Sequence, residues 1–94
     1  MNSYDRKMMS LLEKLKEYDD KILKLENELK SLSDQYLYGH TLQQQMTMFI
    51  LMRNDLNYKN ERKILESKIS VLRAEREKCY TDGMIEISRF NDIF

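Results

Sequence analysis

Apolar residues fall at Tyr4, Met8, Leu11, Leu15, Tyr18, Ile22, Leu25, Leu29, Leu32 and Tyr36, in alternating steps of four and three. A repeat of 3.5 residues keeps one stripe of a helix turned toward a partner helix, so this rhythm predicts the seam of a coiled coil. The first helix is expected over about 3–36, opening near Ser3 with Asp5 in its first turn, where a carboxylate complements the free backbone N–H groups. Gly39 follows the last seam residue, as a residue ending a helix in a left-handed turn would. Thr41 with Gln44 then reads as a capping box opening a second helix, so the turn is expected over about 37–41.

The second helix is expected over about 42–94, with a possible break at Asp82-Gly83. Its stripe is less regular. Leu42, Met46, Phe49 and Leu56 can face the first helix, the segment from Asn57 to Lys63 is polar apart from Tyr58, and the stripe resumes at Leu65, Ile69, Leu72 and Cys79. So short a turn brings the second helix back beside the first. The expected fold is all-α, an antiparallel two-helix coiled-coil hairpin. With the turn at Gly39, Leu32 should meet Met46, Leu29 should meet Phe49, and Tyr4 should lie near Ala74. Residues beyond Arg76 then overhang the hairpin, carrying an apolar edge of Met84, Ile87, Phe90 and Phe94.

Composition supports helices and argues against several functions. There is no proline among the 94 residues, only two glycines, and 34% of residues are charged. Sixteen basic and sixteen acidic side chains cancel, so no electrostatic excess recruits nucleic acid. The N-terminal residues lack the basic-then-apolar pattern of a signal peptide, and the run Met48 to Met52 is too short to cross a bilayer. A single cysteine, Cys79, fits a reducing compartment. A cytoplasmic protein without direct membrane insertion is the expectation.

Candidate chemistry is sparse. His40 has no second ligand at metal-binding spacing, Cys79 has no nearby histidine in the sequence, and no glycine-rich phosphate loop is present. No catalytic residue, cofactor site or metal site is expected, and the chain is not expected to be an enzyme. The stretch Met46–Met52 is different, because it is apolar around most of the helix circumference and a hairpin covers only one side. That run reads as a local thickening of the core under Leu37 and Tyr38, as a surface for self-association, or as a docking patch with Met48, Leu51 and Met52 as candidate partner-binding residues, since flexible methionines suit an adaptable surface. Met84, Ile87, Phe90 and Phe94 are candidates for a second contact on the overhang.

Between Asp19 and Lys78 the chain carries Asp19-Asp20-Lys21-Ile22-Leu23, Leu29-Lys30-Ser31-Leu32, Leu51-Met52-Arg53, Lys63-Ile64-Leu65-Glu66-Ser67-Lys68-Ile69 and Arg76. In these residues it resembles the FliJ/YscO group of type III secretion stalk proteins, nearest its SpaM/InvI branch. The resemblance implies a non-enzymatic stalk that sits in the pore of a hexameric secretion ATPase, links it to the export gate, and can bind escort chaperones. In that role the overhang would enter the ring and the patch near the turn would touch a second protein. Members are mostly longer, so a further terminal segment is also expected. The alternatives are a small helical secretion chaperone, wrapping a substrate around the methionine-rich patch, or a generic coiled-coil scaffold. A membrane-shaping scaffold wants rows of lysine and arginine, whereas these charges are balanced and dispersed.

Overall fold

The computed structural model describes residues 2–37 and 39–93, apart from the side chains of Tyr36 and of 90–93. Among these residues the protein is all-helical, with α1 Ser3–Leu37, α2 Leu42–Asn54 and α3 Leu56–Ile93, and no strand. Each boundary has a local cause. Asn2 caps α1, its Oδ1 accepting the Asp5 N–H at 2.8 Å. Gly39 turns the chain out of α1 at φ +78°, and the His40 N–H donates to the Leu37 carbonyl at 3.3 Å. Thr41 and Gln44 form the reciprocal capping box, with bonds of 3.3 and 3.0 Å.

Asp55 interrupts what the apolar pattern reads as one second helix. Its backbone is extended (φ −76°, ψ 117°), its N–H closes α2 by donating to the Met52 carbonyl, and its Oδ1 accepts the Tyr58 N–H at 2.9 Å to open α3. One residue thus ends a helix and caps the next, which a short acceptor side chain can do and an aliphatic one cannot. The helix expected over 42–94 is two helices, broken at Asp55, and α3 runs through Asp82-Gly83 without interruption.

The chain packs as two compact units. The first joins the residues up to Leu23 with those from Ser70 onward, and the second comprises Lys24–Ile69. In the first, Leu11, Leu15 and Ile87 are buried together, with Tyr4, Met8 and Cys79 packed against them. Arg76 grips Asp19 through two nitrogens, at 2.6 and 3.4 Å, and Lys7 pairs with Glu86. These pairs show the α1 and α3 segments running in opposite directions. In the second unit Leu32, Met52 and Tyr58 are buried together, flanked by Leu37 and Leu65, and the Ser33 and Tyr58 hydroxyls are hydrogen-bonded at 3.0 Å. Fully burying each aliphatic residue of this kind stabilises the fold by about 1.5–3 kcal/mol.

Two expectations about register are corrected. Leu32 packs with Met52 and Tyr58 rather than with Met46, and Phe49, expected against Leu29, is exposed. The residues beyond Arg76 do not overhang. Asp19 meets Arg76 instead of a residue near Lys59, so Cys79 and Ile87 pack against the start of α1. The expected register needs one unbroken second helix; Asp55 breaks it, and in the first unit the pairs Asp19–Arg76 and Lys7–Glu86 set where α3 lies on α1. Of the expected apolar edge, Phe94 and the Phe90 side chain lie outside the described residues.

Candidate protein-interaction surface

The sequence of α2, LQQQMTMFILMRN, sorts apolar from polar residues onto opposite faces less than that of either other helix. Packing within its unit buries Met52 to 2% exposure and leaves Met48 half-buried. Those two lie four apart on one side, beside Gln45, which is half-buried as well. The rest of the apolar material is left outside. Leu42 is 76% exposed, and Met46, Phe49, Ile50 and Leu51 are each more than half exposed. Leu56, just past the break, joins them at 70%. Six large apolar side chains on one short segment amount to several hundred Å², in the range where exposed patches mark association.

The remainder of this surface is uncharged except at one point. Gln43, Gln44, Thr47 and Asn54 are exposed, and Arg53 in the last turn is the only charged side chain of α2. A cation there complements the helix C-terminus. On α3, Arg62 donates to Glu66 at 2.8 Å, and this pairing raises the affinity of the guanidinium for its proton. The arrangement has no acid–base or nucleophilic grouping. What it can do chemically is bury itself.

Of the candidate contact residues, Leu51 is exposed and Met48 is partly so, while Met52 is spent on the interior of its unit. Met84 is 38% exposed, and Ile87, at 4%, is core. Leu42, Met46, Phe49 and Leu56, read as facing the first helix, are exposed instead. Pattern alone could not choose the inner face, because Met46–Met52 offers an apolar residue in almost every direction.

No family model, no curated protein and no solved structure matches the chain. Among the described residues, no group of three or more His, Cys, Asp or Glu side chains could hold a metal ion. No helix among them is long and apolar enough to cross a membrane. A groove of about 370 Å³ lies in the first unit beside Gly83, lined by Lys7, Lys14, Asp82 and Glu86 among others. Its rim is occupied by the Lys7–Glu86 ion pair, and the Lys7 ammonium holds the Glu86 carboxyl below its ordinary pKa. Cys79 sits against the Leu11–Leu15–Ile87 cluster as a small hydrophobe.

Proposed function

We propose that this chain is a non-enzymatic, cytoplasmic helical protein that works by binding other proteins through α2, and that it serves as a stalk of the FliJ/YscO type. In that role it joins a hexameric secretion ATPase to an export gate and binds escort chaperones. The observation that carries the binding role is the exposure of Leu42, Met46, Phe49, Ile50 and Leu51 on a helix with a single charge. Leaving such side chains in water forfeits the free energy that their burial against a partner would release. The stalk assignment rests on the residues shared with that group between Asp19 and Lys78. We further read α1 and α3 as an antiparallel coiled-coil pair, whose seam is the 4-3 row of α1.

The test is capture of a secretion ATPase, an export-gate protein and a secretion chaperone by the purified chain. Met46→Asp with Leu51→Asp should lower capture of the true partner at least tenfold, as loss of a central apolar contact does, with the circular dichroism of the helices unchanged. Full capture by this variant would remove α2 from the contact. Capture of none of the three by the unaltered chain would end the stalk assignment. The small-chaperone reading draws on the same exposed methionine-bearing helix, and co-purification with a secreted protein in place of the ATPase would select it.

A further inference from the structure

We propose that two copies of this chain pair through the first unit, α1 lying against the partner's α1 in the opposite direction, to form a symmetric homodimer. The surface is made of residues other than those of α2. In this unit the two edges beside the buried row differ in kind. One position before the row stand Lys7, Ser10 and Lys14 on α1 and Asp82 and Glu86 on α3, a polar edge crossed by the Lys7–Glu86 pair. One position after it stand Met9 and Leu12 on α1 and Tyr80 and Met84 on α3, all exposed. In helices running opposite ways, the positions that follow the seam on each helix border the same edge. Four large apolar side chains therefore gather on one side of the pair, with nothing in the unit to cover them.

The charges beside that edge say what covers it. Along α1 the exposed row reads Asp5, Met9, Leu12, Lys16, in steps of four, three and four. Reversed end for end, this row is its own complement. Asp5 meets the partner's Lys16, Met9 meets the partner's Leu12, and the same contacts repeat across a two-fold axis between Met9 and Leu12. A parallel alignment would instead set Asp5 against Asp5 and Lys16 against Lys16. Among the described residues neither Asp5 nor Lys16 has an ion-pair partner within the chain. The packing inside the unit gives an independent check. Leu11 touches the position of Gly83, and Lys7 bonds Glu86. An axis midway between Met9 and Leu12 therefore crosses α3 at Gly83 and Met84. Exposed Met84 then falls on the axis against its own copy, and Tyr80 falls beside it. The charged row of α1 and the apolar edge of α3 select one register, which is the self-complementarity an isologous contact requires.

The experiment is sedimentation equilibrium of the full chain, with circular dichroism on every variant. The expected result is a mass approaching twice 11.4 kDa at tens of micromolar protein, with association weakening as salt rises. Asp5→Lys alone, or Lys16→Asp alone, should weaken association about tenfold, because two symmetric attractions become two repulsions. The double reversal should restore it. Leu12→Asp should leave a helical monomer. A wild-type chain that stays monomeric to about 100 μM overturns the proposal, and so does a dimer indifferent to the single reversals or not recovered by the double one. Met46→Asp with Leu51→Asp should leave the dimer intact, so failure here and failure of the α2 contact are read separately.

Discussion

Gly83 lets α3 approach α1 where a side chain would stand in the way. A Cβ built there would lie 2.5 Å from Leu11 Cδ1, and Leu11 is held by Leu15 and Ile87. Gly83→Ala gains up to ~1 kcal/mol of helix propensity but forces an overpacked contact costing ~1–3 kcal/mol. The expected net loss is about 1 kcal/mol by urea denaturation, and the double-mutant cycle with Leu11→Ala should show that penalty gone, since the obstructing methyls are absent. The sequence marks Gly83 as a weak point of a helix, which is what glycine means without a neighbour. That it serves close packing depends on Leu11, far away in the chain, and no local signal carries that.

At the scale of the elements, Asp55 is the residue on which the three-helix arrangement turns. It closes α2 with its backbone and caps α3 with its side chain. Asp55→Ala removes the acceptor for the Tyr58 N–H and should cost ~1 kcal/mol, within the ~0.5–2 kcal/mol of cap losses. Thermal unfolding followed at 222 nm checks this, and Asp55→Asn, which keeps an acceptor, should recover most of the loss. The caps of α2 at Thr41 and the exit of α1 at Gly39 were readable from sequence, because each is a local signal of known spacing. Asp55 sits among Arg53, Asn54, Leu56 and Asn57 with no glycine or proline, so nothing local separates a helix break there from one more polar helical position.

For the molecule as a whole, equal numbers of acids and bases make its pH dependence a matter of individual pairs. Lys7 lowers the pKa of Glu86 in the folded state. A carboxyl depressed by folding contributes stability that is fully present above its ordinary pKa of about 4.3 and is lost as pH falls through the lower folded value. Glu86→Gln should therefore lose melting temperature less steeply than the wild type between about pH 5 and pH 3, and the two should converge at the acid end. Glu86 is exposed, so the effect is small and weakens with salt. Equal slopes for the two proteins would show that the pair adds nothing to acid stability.

The order of apolar and polar residues by itself determined that the chain is helical, which face of α1 is inward, and where α1 ends and α2 begins. Those features depend on contacts within a few residues, where the period of the pattern and the chemistry of the caps suffice. Tertiary structure decided which face of α2 is buried, the register of α3 on α1, and therefore that Ile87 is core and Leu42 is surface. A segment apolar on nearly every side has no preferred face until neighbours cover one. Register between helices far apart in sequence is set by the pairing of Lys7 with Glu86, Asp19 with Arg76 and Leu11 with Gly83, which no single helix contains.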